Sequence, residues 1–206
     1  MVTTVGLSAP NRRPAAEVLY AGLAAQLRPV FGPPERAVGV IARGLRGDRV
    51  VVATAAGQVI GVCGLNYAGH RFLELGLWGA VVEMGWELLR AAAVGAALAN
   101  RAGPAEAWVE AVAVAPGWRG QGVGTQLMGA ALARLAGCGI RRARLQVAAG
   151  NERALPFYQR LEFEVTAFRP LPYPWRGPLA ACGAYELARD LSPRLPGSAA
   201  ISAPAA

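Results

Sequence analysis

Cysteine and histidine are scarce in this sequence. Three cysteines stand far apart, at positions 63, 138 and 182, without a CxxC pair, and the single histidine is His70. Separated cysteines in an odd number are typical of reduced thiols packed as small apolar side chains, so neither a disulfide framework nor a zinc site is expected. One histidine cannot build a metal site, and without a GxSxG motif it does not indicate a serine hydrolase. We predict an intracellular, cytoplasmic protein without a metal.

Charged residues are also few, at 17%, yet they leave a formal net charge of +8. Such an excess attracts nucleic acids, anionic membranes and polyphosphorylated cofactors. An aromatic-plus-basic stripe and zinc-finger spacing are lacking, so no nucleic-acid partner is expected. The most hydrophobic stretch, 73–99, is interrupted by charged side chains at 74, 83, 87 and 90, which are costly inside lipid. We interpret it as a buried or interface helix and expect no membrane partner.

Hydrophobic residues make up 54% of the 206, which is enough for one domain with its own core. Helical and strand patterns alternate along the chain and predict an α/β fold, with a mixed central sheet of about six to seven strands flanked by helices. The domain is expected over 1–191, with an insertion at 71–105, and the Ser-, Pro- and Ala-rich residues 192–206 are expected to form a disordered tail. Helices are predicted over 12–31, 35–45, 122–136 and 153–161, and strands over 49–54, 58–65, 107–115, 142–148, 163–168 and 184–188.

A glycine-rich turn precedes the third predicted helix. Gly120, Gly122 and Gly124 alternate, and the helix begins where they end. Successive backbone N–H groups without side chains can surround an anion, the helix N-terminus adds its positive end, and Arg119 adds a full charge. The pattern predicts a pyrophosphate cradle. It lacks the Lys-Ser/Thr of a Walker loop, and its glycine spacing is not that of a dinucleotide-binding turn.

The run Arg119-Gly120-Gln121-Gly122-Val123-Gly124 resembles the Arg/Gln-x-x-Gly-x-Gly/Ala signature of the GNAT superfamily of N-acetyltransferases. The preceding run, 112–116, and the downstream Asn151-x-x-Ala154-x-x-Phe157-Tyr158-x-x-x-x-Phe163 fall where that family has them. The resemblance covers about residues 48–165. Glu162 is a departure, since the family usually has glycine there, so the turn around it is expected to differ locally.

The resemblance implies that acetyl-CoA lies between the strands 107–115 and 142–148, which are parallel and splay apart in this fold. The backbone of the first strand would bind the pantetheine arm, the amides of the glycine-rich turn would bind the pyrophosphate, and Asn151 would reach the pantetheine. Asn151 could instead cap the next helix, or do both. The implied cofactor-binding residues are Val112, Ala113, Val114, Arg119, Gly120, Gln121, Gly122, Val123, Gly124, Thr125 and Asn151.

Two residues are candidate catalysts. Tyr158 would stand near the thioester sulfur as the general acid, the alternative being a core aromatic on one helix face. Glu110 is a carboxylate in an apolar strand, and strand alternation predicts that it shares a face with Val112 and Val114. A carboxylate there could take a proton from the amine, directly or through a water. The alternative is that Glu110 only pairs with an arginine.

The residues and the resemblance together predict an N-acetyltransferase that moves an acetyl group from acetyl-CoA to a primary amine by direct attack. The acceptor, a small-molecule or protein amine, is left open by the sequence. Family members are often dimers, so a homodimer is also open. The alternative function is a non-catalytic acyl-CoA-binding or regulatory module, in which the cradle persists without a working base.

Overall fold

The computed structural model describes residues 2–74, 102–170 and 183–192. Most of the predicted insertion, 75–101, and the predicted tail from 193 onward lie outside these described residues, as does Cys182. Within them, seven strands form one sheet in the order β1-β2-β3-β4-β5-β7-β6. The strands are β1 (Val2–Gly6), β2 (Val50–Ala55), β3 (Gln58–Tyr67), β4 (Glu106–Val114), β5 (Arg142–Ala148), β6 (Glu164–Pro170) and β7 (Gly183–Asp190).

The sheet is mixed. β4 and β5 run parallel, whereas the other neighbouring strands are antiparallel. The predicted α/β class and strand number are therefore confirmed. β1 was not predicted from the sequence: it is an edge strand with a mostly exposed surface, so its five residues lack the apolar run that marks the inner strands.

The described helices are α1 (Arg12–Gly22), α2 (Ala24–Phe31), α3 (Pro34–Gly44), α4 (Val123–Gly137) and α5 (Leu155–Arg160). The single helix predicted over 12–31 is wrong, because the chain leaves the helical conformation at Leu23, where φ is −122° and ψ is 28°. Glycine, which is a weak helix former, precedes this break. None of the described helices is long and apolar enough to cross a membrane.

Two apolar clusters cover opposite faces of the sheet. The α4 cluster joins α4 and α5 to one face, and the α1 cluster joins α1 and α3 to the other. Fully buried members of the α4 cluster include Leu127, Leu135, Leu65 and Leu145, and those of the α1 cluster include Leu19, Ile41, Val50 and Val62. The inner strands therefore read as continuous apolar runs, since both of their faces are covered.

Gly22 brings α1 into close contact with β4. A Cβ atom at this position would lie 2.6 Å from the Cβ of Ala113. We expect Gly22→Ala to lower the free energy of unfolding by about 1–3 kcal/mol, because the helix must move away from the strand. Gly39→Ala in α3 is the matched control, since its Cβ would meet only a flexible guanidinium nitrogen of Arg43 at 3.7 Å. Chemical denaturation of both variants measures the difference, and equal shifts would contradict this packing.

Candidate active site

β4 and β5 are hydrogen-bonded along only the first half of β4. Their pairing runs from Glu106 opposite Arg142 to Val109 opposite Leu145 and then ends. Beyond that point β4 stays paired with β3, and β5 stays paired with β7 as far as Ala148. An opening therefore separates the two parallel strands where they diverge, which confirms the predicted splay.

A β-bulge lies where this opening begins. Leu65 of β3 stands opposite Val109 and Gly64 stands opposite Ala111, so Glu110 is an extra residue without a partner on β3. An extra residue reverses the alternation of side chains along its strand. Val109 packs in the α4 cluster and Ala111 in the α1 cluster.

The faces of β4 after the bulge follow from this reversal. Val112 and Val114 pack against the α4 cluster, whereas Ala113 belongs to the α1 cluster. The prediction that Glu110 shares the face of Val112 and Val114 is wrong, because strict alternation does not hold across the bulge.

Glu110 lies instead on the face of the α1 cluster. Its Oε1 accepts a hydrogen bond from Nδ2 of Asn66 at 3.2 Å. Asn66 shares its face of β3 with Gly64, where Phe72 of the α1 cluster packs. Arg71 donates from Nε to Oε2 at 3.3 Å and from a terminal nitrogen to Oε1 at 3.0 Å. The Glu110 side chain is only 7% exposed, so these hydrogen bonds, and not water, satisfy most of its carboxylate oxygens.

The backbone of β4 beyond the bulge has polar groups directed into the opening. The N–H of Ala115 donates to the carbonyl of Ile60 on β3 at 2.9 Å. Backbone groups alternate sides along a strand, so those of Val112 and Val114 are directed away from β3 and toward β5. Arg119 Nε donates to the Val114 carbonyl at 3.1 Å, which ties the turn that follows to the strand end.

The glycine-rich turn has the conformation that glycine allows. Gly120 and Gly122 have φ of 75° and 78°, and a Cβ at either position would meet open space. Gly122 is the N-cap of α4, and its carbonyl accepts from the N–H of Gln126 at 3.1 Å. The amides at 123–125 therefore precede the first α-helical hydrogen bond, and the first turn contains no acidic residue. These amides can bind an anion.

Gly124 brings this helix start against α5. A Cβ there would contact the ring of Phe157 at 3.4 Å and a methyl group of Val114 at 3.9 Å. The turn, the end of β4 and α5 thus meet at one place. Gln121 closes the turn from its outer side, since its Nε2 donates to the carbonyl of Gly117 at 2.8 Å.

Tyr158 lies on α5 and packs against the α4 cluster. Its ring makes edge contacts with Phe157 and Phe163, with centroids 5.0 and 6.1 Å apart. Burial, with a smaller contribution from the neighbouring Cys63, raises the pKa of the Tyr158 hydroxyl to about 12. The hydroxyl therefore carries its proton at neutral pH and can donate it. The packing of the Tyr158 ring is that of a core aromatic, and it leaves the hydroxyl protonated, as a general acid requires.

Asn151 is exposed and begins the 3-10 turn Glu152–Ala154. Its backbone carbonyl accepts from the N–H of Ala154 at 2.9 Å, but its side chain makes no capping hydrogen bond. The capping role considered for its side chain is absent from this turn. Glu162 has φ of 60°, the left-handed conformation that glycine adopts most readily, and it pairs with Arg189 at 2.8 Å.

Sequence reasoning did not single out Asn66 and Arg71, nor a polar cluster farther along the same face. There Glu186, buried in β7, pairs with Arg144 and with Arg169, and the Arg144 guanidinium lies 5.1 Å from the Trp108 ring centre. Lone polar residues in apolar strands were the available signal. Which of them meet depends on strand pairing.

The acetyltransferase (GNAT) family model matches residues 28–163. No curated protein matches the sequence. Among solved structures, the histone acetyltransferase HPA2 and related acetyltransferase from Corynebacterium glutamicum is similar, with a TM-score of 0.62 and 19% identity over 91% of this chain and 94% of that one.

Two further structures show the same fold at low identity. The ribosomal-protein-S18-alanine N-acetyltransferase from Escherichia coli has a TM-score of 0.58 and 18% identity over 96% of this chain and 98% of its own. Ard1 from Thermoplasma volcanium has a TM-score of 0.57 and 21% identity over 92% of this chain and 97% of its own.

Proposed function

Because this chain belongs to the acetyltransferase (GNAT) family, we propose that it transfers an acetyl group from acetyl-CoA to a primary amine by direct attack. The observation that carries the proposal is the meeting of three features: the opening between β4 and β5, the glycine-rich start of α4, and a buried carboxylate at the bulge. Acetyl-CoA supplies a thioester, whose carbonyl carbon accepts the amine.

The residues of the opening fit this cosubstrate. Unsubstituted glycines give an anion access to the first-turn amides of α4, and Arg119 adds positive charge, so this turn suits a pyrophosphate. Backbone groups of Val112 and Val114 that are not used by β3 suit the amides of a pantetheine arm. We also assign Gln121 and the exposed Asn151 to the wall of this site, whereas Ala113 packs in the α1 cluster and serves only to space Val112 and Val114 along the strand. Apart from Ala113, the proposed set is the one named from the sequence.

Glu110 lies on the face of the α1 cluster where the opening begins, whereas Tyr158 packs against the α4 cluster on the opposite face. In the proposed reaction Glu110 takes a proton from the acceptor ammonium, and the neutral amine nitrogen forms a bond to the carbonyl carbon as the carbon–sulfur bond breaks. The leaving thiolate takes a proton from Tyr158, and the second amine proton returns to Tyr158 through water. One proton is released to solvent for each amide formed.

Tyr158→Phe should lower kcat about 100-fold while the affinity for acetyl-CoA stays unchanged, because only the proton for the thiolate is lost. Tyr185→Phe is the control, since Tyr185 packs on the same cluster from β7. An equal loss of kcat in both variants would contradict a specific role for the Tyr158 hydroxyl.

The pH dependence of kcat gives a second test of Tyr158. Its pKa is raised from 10.0 to about 12, so the acid form persists where an ordinary tyrosine would be half ionised. We expect kcat of the wild type to stay level between about pH 8 and pH 10. A fall over this range would contradict the assignment.

A release assay tests the proposed function directly. The protein is mixed with acetyl-CoA and a panel of amino acids, polyamines, peptides and simple amines, and CoA thiol is measured together with the acetylated amine. Equal amounts of thiol and amide support the transferase. Acetyl-CoA binding without amide formation across the panel, with Glu110 and Tyr158 variants indistinguishable from the wild type, would favour the non-catalytic acyl-CoA-binding module.

A further inference from the structure

Arg71 forms an ion pair with Glu110, the carboxylate that the proposed reaction needs as a base. It contacts both oxygens of Glu110, at 3.0 and 3.3 Å, while Asn66 also donates to Oε1, at 3.2 Å. The Arg71 side chain is 44% exposed, whereas that of Glu110 is 7% exposed. The guanidinium thus covers Glu110 from the accessible side and can move without unpacking a core.

An acceptor ammonium that donates to Glu110 must displace the hydrogen bonds that Arg71 donates to that carboxylate. If a simple monoamine took the place of Arg71 on Glu110, the Arg71 guanidinium would lose its carboxylate partner. The guanidinium and the ammonium, which are both positive, would then lie next to each other. A polyamine would add further positive charge. An acceptor with an anionic group next to its amine avoids this, because its ammonium pairs with Glu110 while its anionic group pairs with Arg71.

Other charges on this face favour the same kind of acceptor. Glu106 and Glu186 lie on the face of Glu110 and are paired with Arg144. Within the described residues, Glu106, Glu110 and Glu186 therefore each have an arginine partner, so none of them is an unpaired anion that could bind a second ammonium of the acceptor. The formal net charge of +8 attracts an acceptor with an anionic group and repels a polycation.

We propose that the acceptor is a zwitterion of the α-amino acid type, with its ammonium on Glu110 and its carboxylate on Arg71. This inference rests on the proposed function and narrows its acceptor. Arg71 changes partner from Glu110 to the substrate carboxylate, which leaves Glu110 available to take the amine proton. Arg71 is then a specificity-determining residue, since it contacts the carboxylate and not the reacting atoms.

The test uses matched acceptors: an α-amino acid, its amide, and the amine that lacks its carboxyl group. A screen of the standard amino acids with the wild-type protein selects the best one. We expect kcat/KM for the amino acid to exceed that for the amide and for the decarboxylated amine by at least about 30-fold. A wild type that prefers either of the other two, or that acetylates none of the amino acids while it binds acetyl-CoA, would overturn the proposal.

Variants of Arg71 locate the effect. Arg71→Gln should lower kcat/KM for the amino acid by at least about 30-fold, mainly through KM, and should thereby abolish the preference for the amino acid over the decarboxylated amine. Arg71→Lys should restore part of the loss because it keeps the charge. Arg46→Gln is the control, since Arg46 pairs with Asp48 and Glu74 instead. An unchanged ratio of the two acceptors in Arg71→Gln would overturn the proposal.

Failure of this inference differs from failure of the proposed function. If the decarboxylated amine is acetylated as well as the amino acid or better, and Glu110 is needed for it, the transferase stands and the amino acid acceptor is wrong. If acetyl-CoA does not bind, the transferase is wrong and the acceptor proposal is wrong with it.

Discussion

Glu110→Gln should lower kcat for acetyl transfer about 1000-fold and leave the affinity for acetyl-CoA unchanged. Glutamine keeps the size and the hydrogen-bond acceptor that Asn66 and Arg71 use, but it cannot take the amine proton. The acceptor would remain an ammonium at neutral pH and would have no lone pair for attack. Steady-state turnover and calorimetric titration of acetyl-CoA, measured on the same preparation, separate the two effects.

Glu106→Gln is the matched control for this prediction. Glu106 begins the same strand, is also paired with an arginine, and lies where β4 and β5 are still hydrogen-bonded. We expect its turnover to stay within about threefold of the wild type, as for substitutions away from reacting groups. Equal losses in the two variants would indicate that general loss of carboxylates on this face, and not the base at the bulge, lowers turnover.

Gly122→Glu should weaken acetyl-CoA binding at least about 100-fold. The new carboxylate would stand at the N-cap of α4, where the proposed pyrophosphate meets the first-turn amides. Two like charges would then compete for the same donors. The substitution also places a side chain at φ of 78°, which strains the backbone by about 1–2 kcal/mol.

Gly57→Glu separates charge at the site from backbone strain. Gly57 lies in the β2–β3 turn with the same φ of 78° and open space around its Cβ position. Both variants should lose similar free energy of unfolding, but only Gly122→Glu should lose acetyl-CoA binding in calorimetric titration. Equal affinities for acetyl-CoA in the two variants would show that the glycine-rich turn does not hold the pyrophosphate.

The elements that could be predicted from the sequence are those with local signals. The inner strands β3, β4 and β5 are apolar runs bounded by turns, and α4 follows an alternate-glycine pattern, so their positions were predicted within two residues. The exposed β1 has no such pattern and was missed. The break between α1 and α2 at Leu23 was missed as well, and the predicted helix continued through it.

The candidate site divides in the same way. The glycine-rich turn is contiguous, so its conformation and its place before α4 follow from a few adjacent residues. The face of Glu110 could not be predicted, because the bulge depends on how β4 pairs with β3. The contacts of Glu110 with Asn66 and Arg71 depend on the same pairing, across separations of 44 and 39 residues.

Titration of acetyl-CoA into the wild-type protein by calorimetry shows whether the chain binds this cosubstrate, and it needs no knowledge of the acceptor. We expect one acetyl-CoA bound per chain, with an affinity in the micromolar range. We also expect CoA to compete for the same site, since the two share the pyrophosphate and the pantetheine arm. If millimolar acetyl-CoA gave neither heat nor competition, the proposed acetyl-CoA site would be wrong, and the opening between β4 and β5 would serve another ligand.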